Sequence, residues 1–357
     1  MSSYRFIDSP YGQTFTLILT EECNLRCKYC YIKYSPKKMN KKIVDDILFF
    51  IYNKHQSKMP NCIYELIGGE PLLEYELIDY ITQKSLGIMS NINHKWIFNT
   101  YYSLTTNGTQ FSNEVKKVLE KYSYMYSVSL SLDGNKEHHE FNRKNSFDDI
   151  MKNINWWKST FPTSCIKSTL TKDTMEYWFN SVKFFIEELE AKNILMNPIF
   201  EEYWSEEDGK YLEEILYKIA DYLLENEKYK EYYVSFFKPN LLEETNRADI
   251  RCGAGNSMLA FDTQGNIFPC IRFSMVNKPL SFGNIYTEID ENKQIQFKYY
   301  HNFEQDECKK CEANNICLRC IANDYSRFNS INTRSKNICN YSKILYKVNK
   351  YFSERIK

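Results

Sequence analysis

Three cysteines stand close together near the N-terminus, as Cys23-x3-Cys27-x2-Cys30, directly after an apolar stretch at residues 15–20. Three thiolates from one short loop can bind three corners of a cubane iron–sulfur cluster and leave the fourth iron open. An open iron can take a small molecule directly. Structural zinc wants four protein ligands in a closed site, and no further His or Cys follows closely. The three-cysteine count therefore favours an open cluster over zinc.

Seven more cysteines follow position 251: Cys252, Cys270, Cys308, Cys311, Cys317, Cys320 and Cys339. Their layout is C-x12-G-x4-C, with Gly265 as the glycine, then C-x2-C-x5-C-x2-C and, after eighteen residues, a last cysteine. One reading is a zinc ribbon built from Cys308, Cys311, Cys317 and Cys320. The loop between those pairs is short for a ribbon, and three cysteines are left over. Two clusters account for the set better. Cys62 and Cys165 stand alone in short apolar stretches and read as small core residues. In a reducing cytosol, twelve cysteines point to ligation rather than to a disulfide framework.

Composition sets the outer limits. The 357 residues suit one large domain, or a domain with an appendage. Lys plus Arg and Asp plus Glu are equal at 46 each, so no global field recruits nucleic acid or an anionic membrane. No apolar run approaches the roughly 18 residues of a spanning helix. Residues 15–19 read as a first strand, not a signal core. A cytoplasmic protein without nucleic-acid or membrane partners is expected. The five histidines form no metal or nucleophile constellation, and His138-His139 reads as a polar helix start. No Ser-His-Asp order, P-loop or dinucleotide fingerprint is present.

The elements that must carry these cysteines alternate. Strand-like runs lie at residues 15–20, 63–67, 101–105, 126–132, 166–170 and 194–199, and helical stretches at 41–55, 72–85, 113–122, 147–157 and 174–190. Parallel strands need crossover helices, so the pattern predicts an α/β fold, a partial (β/α)6 TIM-like barrel. Active sites in such folds sit at the C-terminal strand ends. Polar and glycine-rich segments fall just there: after Thr20, at residues 68–70, at 106–108 and at 133–134. Residues 201–240 read as a helical bridge, 241–341 as a cysteine-rich second domain, and 342–357 as a closing amphipathic helix, after a barrel core at 1–200.

The C-x3-C-x2-C spacing after the first strand resembles the radical S-adenosylmethionine (SAM) superfamily. That resemblance implies one 4Fe–4S cluster on Cys23, Cys27 and Cys30, whose open iron is chelated by the methionine amine and carboxylate of SAM. Reduction then yields a 5′-deoxyadenosyl radical. Tyr29 holds the aromatic position that faces the adenine in the family. Gly68-Gly69-Glu70-Pro71 resembles the element that supports the methionine amine. Asn107, Ser129, Ser131 and Asp133 match polar positions at the ends of strands three and four. Arg143, following Asn142, resembles the arginine that pairs with the methionine carboxylate, and Asn197 ends strand six.

The late cysteines are similar to the SPASM extension of radical enzymes that modify peptides, although the family ends its middle group in C-x3-C and this chain in C-x2-C. The resemblance implies two auxiliary clusters of the 4Fe–4S type. Cys308, Cys311, Cys317 and Cys339 would hold the distal one, and Cys252, Cys270 and Cys320 the nearer. Residues 246–251 contain no further cysteine, so the near cluster has either an open iron or a non-cysteine ligand. Anaerobic sulfatase-maturating enzymes carry an aspartate base directly after the second cysteine of this region; here Ile271 stands in its place.

The expected function is a maturase of ribosomal peptides that forms a thioether or carbon–carbon cross-link. It would act on a peptide or protein substrate with a reductant such as flavodoxin or ferredoxin. With the first strand reached by Phe15, a separate leader-peptide-binding protein would supply recognition, unless the catalytic domains do. The alternatives are radical oxidation of a protein side chain or small molecule, and a non-catalytic iron–sulfur or zinc protein.

Overall fold

The computed structural model describes residues 12–356 apart from 56, 226, 238–251, 277, 288, 300–304 and 318. The six expected strands form in chain order: β1 (Gly12–Ile18), β2 (Asn61–Ile67), β3 (Thr100–Thr106), β4 (Tyr126–Ser131), β5 (Ile166–Leu170) and β6 (Asn193–Pro198). All pair in parallel with their sequence neighbours. The connections run through α1 (Lys41–Phe49), α2 (Tyr75–Asn91), α3 (Asn113–Lys121), α4 (Lys136–Arg143), α5 (Phe147–Met151), α6 (Ile154–Thr160) and α7 (Trp178–Lys183). This is the crossover arrangement that parallel pairing requires.

The sheet runs on at both edges. β7 (Tyr233–Val234) pairs in parallel with β6, and β8 (Met258–Phe261) pairs in parallel with β1. β9 (Asn266–Phe268) and β10 (Gly283–Asn284) follow in antiparallel fashion, giving the order β10-β9-β8-β1-β2-β3-β4-β5-β6-β7. The cysteine-rich part of the chain thus begins as an extension of the barrel sheet. The expected boundary near residue 240 lies outside the described residues.

Period-two burial explains why the strands face as they do. In β2, Cys62, Tyr64 and Leu66 are buried against helices, while Ile63, Glu65 and Ile67 alternate to the other, inner side. Parallel register then lines up Tyr64, Tyr102 and Tyr126 on three adjacent strands, with successive rings 5.5 and 5.1 Å apart. A buried phenol needs a hydrogen-bond partner. Tyr102 pairs with Ser85 of α2 and Tyr126 with Thr82, both at 2.6 Å, while Tyr64 pairs with Tyr52 at 2.7 Å. The two pairs with α2 fix its register on the sheet.

Several helices depart from expectation. The stretch at 41–55 ends in a wider π turn (Phe50–Lys54), and that at 174–190 ends likewise (Phe184–Glu188). The stretch at 147–157 divides at Lys152-Asn153, where Asn favours local turns over continued helix. His138 and His139 do lie at a helix start, capped by Asn135, but they face inward and are fully buried, not polar surface.

In the C-terminal part, α8 (Glu206–Glu225) packs against the last helix, α13 (Cys339–Ser353). Leu212, Leu216 and Ile219 of the one and Leu345 and Val348 of the other are buried. Between them come α9 (Ile271–Met275), α10 (Glu291–Tyr299), α11 (Asp306–Lys309) and α12 (Ile321–Phe328). The segment that leaves β6 is stitched to this region through its carbonyls. Phe200 O accepts from Asn323 at 3.2 Å, and Glu201 O accepts from Arg327 at 2.9 Å and Asn337 at 3.1 Å. That stitching ties the cysteine-rich region to the C-terminal strand ends.

Candidate functional site

The loop from β1 carries Cys23, Cys27 and Cys30 over the C-terminal ends of the strands, all three thiols partly accessible. It rests on the Gly68-Gly69 turn after β2. Gly69 N donates to Thr20 O and Glu70 N to Glu22 O, both at 2.8 Å. A Cβ on Gly68 would sit 2.3 Å from Thr20 O, and one on Gly69 would sit 2.0 Å from Glu22 O. These glycines are therefore required by contact with the chain's own backbone, a reason distinct from ligand approach.

Glu70 is almost wholly engaged by protein. Its Oε1 accepts from Leu72 N at 3.1 Å and Thr106 Oγ1 at 2.7 Å, and its Oε2 accepts from Asn107 N at 2.8 Å. A carboxylate has about four lone-pair sites, so one is left for a ligand ammonium. Burial pushes its carboxyl up, against the three bonds that favour the charged form. Asn107 turns its amide towards Asn24 at 2.9 Å and Cys23 Sγ at 3.9 Å, and Gly108 ends the turn at a φ of 76° that suits glycine.

Asp133, fully buried at the end of β4, organises the opposite wall. Tyr29 OH donates to its Oδ1 and Oδ2 at 2.8 and 2.7 Å, Thr169 N to Oδ1 at 3.1 Å, and Arg143 Nε to Oδ2 at 3.1 Å. The Arg143 guanidinium also lies 5.3 Å from the Tyr29 ring centre. Behind it, Asp133 N donates to His139 Nδ1 at 3.3 Å, which leaves Nε2–H of the neutral ring to donate to Ser146 Oγ at 2.8 Å. Ser146 in turn donates to Arg143 O at 2.5 Å. Burial lowers both His138 and His139 to about 4, so they are uncharged scaffolding.

The Arg143 Nη hydrogens, in a side chain 9% exposed, find no acceptor among the described residues. Neither amide atom of buried Asn142 has a partner, although its carbonyl accepts from Lys28 N within the cysteine loop at 3.1 Å. An under-partnered guanidinium and amide beside three thiols fit a carboxylate-bearing cofactor seated on a cluster. Burial pushes the Cys23 and Cys27 thiols up, so binding a cluster would release protons there. Ser129 takes another course, its hydroxyl meeting Cys165 Sγ at 3.1 Å within the buried strand pair. Ser131 lies one pleat further on, and Asn197 is exposed at the rim.

The seven late cysteines gather in two places. Cys270 precedes α9 and Cys320 precedes α12, and both lie within electrostatic reach of Cys252 or of each other. Burial pushes the Cys270 and Cys320 thiols up. Cys308, Cys311, Cys317 and Cys339 line one cavity of about 540 Å³. Arg334 Nη2 donates to Cys317 Sγ there at 2.8 Å.

Sequence reasoning missed the residues between the first and second sites. Arg272 lies 4.6 Å from the Tyr31 ring and 5.4 Å from that of Phe200, and pairs with Glu201 at 2.5 Å. Tyr31, next to Cys30 in sequence, also senses the charges of Cys270 and Cys30. Its place directly after the cysteine motif was a usable signal; Arg272 and Glu201 meet only through the fold.

Among the described residues, no three His, Cys, Asp or Glu side chains converge closely enough to ligate one metal ion, and no helix is long and apolar enough to cross a membrane.

Known proteins are similar to this chain in sequence and in fold. The Radical SAM superfamily pattern matches residues 17–185. A cysteine-type anaerobic sulfatase-maturating enzyme of Clostridium novyi is 29% identical over 181 residues, 46% of each chain, so this chain spans about half the length of that relative. The corresponding Clostridium perfringens enzyme is 24% identical over 322 residues, covering 83% of this chain and 84% of that one. The antilisterial bacteriocin subtilosin biosynthesis protein AlbA of Bacillus subtilis is 26% identical over 348 residues, covering 92% and 70%. Among solved structures, native anSMEcpe with bound AdoMet and Cp18Cys peptide superposes with a TM-score of 0.77 at 21% identity, over 97% of this chain and 100% of that one, which shows a common fold.

Proposed function

Residues 17–185 are a radical SAM domain, and from that premise we propose that the chain is a peptide maturase that closes a thioether or carbon–carbon cross-link. The observation that carries the reading is a three-cysteine loop at the C-terminal strand ends accompanied by two further thiol sets in the C-terminal part. Tyr31, directly after Cys30, lies 4.6 Å from Arg272, which follows Cys270 by two residues, so the first and second sets approach one another there. The likeness to a bacteriocin biosynthesis protein over most of this chain supports a peptide substrate.

When bound, SAM and its cluster supply a 5′-deoxyadenosyl radical that takes a hydrogen atom from the substrate. The protein's part is positioning. Asp133 holds Tyr29 and Arg143 in one buried unit, which leaves the Arg143 Nη groups to clamp the methionine carboxylate bidentately. The remaining lone pair of Glu70, with Asn107 beside it, receives the ammonium. Ser131 and Asn197 line the approach. Arg272, beside the rings of Tyr31 and Phe200 and paired with Glu201, ties the segment after the first cysteine motif to the one that follows Cys270. Cys252, Cys270 and Cys320, and separately Cys308, Cys311, Cys317 and Cys339, would hold auxiliary clusters, which would supply an acceptor for the surplus electron.

A second reading, oxidation of a protein side chain, is favoured by the similarity to sulfatase-maturating enzymes. Ile271 weighs against it, because it brings no base to the position after Cys270. Incubation of reconstituted protein with small cysteine-containing peptides encoded beside the gene separates the two. A loss of two hydrogens with the thiol no longer alkylatable marks a thioether. Loss of two hydrogens followed by exchange of the thiol sulfur for an aldehyde oxygen, with hydrogen sulfide released on hydrolysis, marks side-chain oxidation. No mass change with any such peptide, while SAM is still cleaved, contradicts the maturase reading.

A further inference from the structure

Each C-terminal thiol set has an arginine beside it, and the two arginines are placed differently. Beside Cys270 and Cys320, the cation Arg272 is matched by Glu201 at 2.5 Å. At the distal set Arg334 donates directly to a ligand-type sulfur, Cys317 Sγ, at 2.8 Å, and it faces Cys308 and Cys339 as well. It is 9% exposed, and a guanidinium stays protonated in any protein setting.

Its placement is built in. Asp324, in the first turn of α12, accepts from Ser335 N at 2.7 Å and is held by Arg319 Nε at 2.8 Å. Arg319 also donates from Nη2 to Ile331 O at 2.7 Å. The stretch 331–335 is thereby tied on both sides of Arg334. The cavity's other cations are Lys310, Lys336 and Lys343, of which Lys336 is paired with Glu307 at 2.9 Å.

We infer that Arg334 sets the reduction potential of an iron–sulfur cluster held by Cys308, Cys311, Cys317 and Cys339, raising it so that this distal site is the terminal acceptor of the substrate's electron. The inference rests on the maturase reading above. Four thiolates give a four-iron cluster a net negative charge, which grows by one on reduction. A fixed buried cation favours the more negative state, and an N–H···S bond draws charge from the sulfur; both raise the potential. The electrons balance: the peptide gives one hydrogen atom to the adenosyl radical, one proton from its thiol to water and one electron to the auxiliary sites. The distal cluster falls by one oxidation level, and no proton moves at Arg334.

The test is a dye-mediated redox titration of the full chain, followed by electron paramagnetic resonance, with Cys23, Cys27 and Cys30 replaced by Ala to silence the first cluster. The distal signal is the one lost in Cys308→Ala. Arg334→Gln is expected to lower the distal midpoint so that its reduced-to-oxidised ratio at the wild-type midpoint falls about tenfold, or about 59 mV for one electron. Arg334→Lys keeps the charge and retains most of the potential, and the near signal stays put in both. An unchanged distal midpoint in an iron-replete Arg334→Gln protein overturns the inference. Loss of the distal irons in both variants also overturns it, in favour of a purely structural clamp. Failure of the underlying reading shows separately: wild-type protein that carries zinc in place of iron in this region, or that cleaves SAM yet modifies no peptide, sinks that reading before any variant is titrated.

Discussion

Tyr29 OH lies 2.8 and 2.7 Å from the two carboxylate oxygens of Asp133, joining residues 104 positions apart in sequence. The contact holds the cysteine loop, which Tyr29 sits in, against the end of β4. It also fixes the acceptor on which Arg143 depends. Asp133→Ala would leave Arg143 buried without its counter-charge, a change that costs about 3–5 kcal/mol. Denaturant unfolding of the variant should show that loss, and equilibrium dialysis should show SAM binding falling with it. Tyr29→Phe, which keeps the ring but removes a hydrogen bond to a carboxylate, should cost about 1.5–3 kcal/mol.

Glycines give a contrast between two sites of the same fold. Gly69→Ala would press a methyl group into Glu22 O, where only backbone can yield, and should both destabilise the chain and reduce iron uptake at the first site. Gly87→Ala meets nothing within 4 Å on the exposed side of α2 and should stabilise by about 0.5–1 kcal/mol. Melting curves and iron content of the two variants check both halves.

Much of this was legible in the chain, for identifiable reasons. The strands β1–β6 announced themselves by apolar runs and their positions by the glycines and cysteines that follow them. β7–β10, two to four residues each, had no periodicity to read; they exist because β1 and β6 offer open edges. The three-cysteine loop was visible from spacing alone. The burial of His138 and His139 was not, because it comes from α4 turning its inner face to Asp133 and Ser181. Arg272 and Arg334 were unreadable as well, since their partners lie 71 and 17 residues away.

Those histidines make stability depend on pH. Each is held neutral by burial, with its folded value lowered to about 4 from an ordinary value near 6.5. Between those values the unfolded chain binds more protons than the folded one, so stability is full above about pH 6.5 and declines as pH falls towards 4. The loss should amount to roughly 3 kcal/mol per histidine at most. Urea midpoints measured from pH 7.5 to 4.5 should fall, and fall less steeply in His138→Gln. A flat profile in the parent chain would mean that neither ring is buried neutral.

The auxiliary sites should separate from the first site by substitution. Cys270→Ala is expected to leave SAM cleavage intact while abolishing the modified peptide, and to lower iron content by about four per chain if a 4Fe–4S cluster is lost. Product analysis by mass spectrometry, with 5′-deoxyadenosine measured in the same reaction, checks it. Normal product from this variant would remove the near cluster from the chemistry.

The most direct measurement is 5′-deoxyadenosine formed from SAM by anaerobically reconstituted protein under dithionite. The account expects the parent chain to form it and Cys27→Ala to form none while remaining folded. A parent protein with its first cluster fully loaded that forms no 5′-deoxyadenosine would contradict the radical chemistry itself.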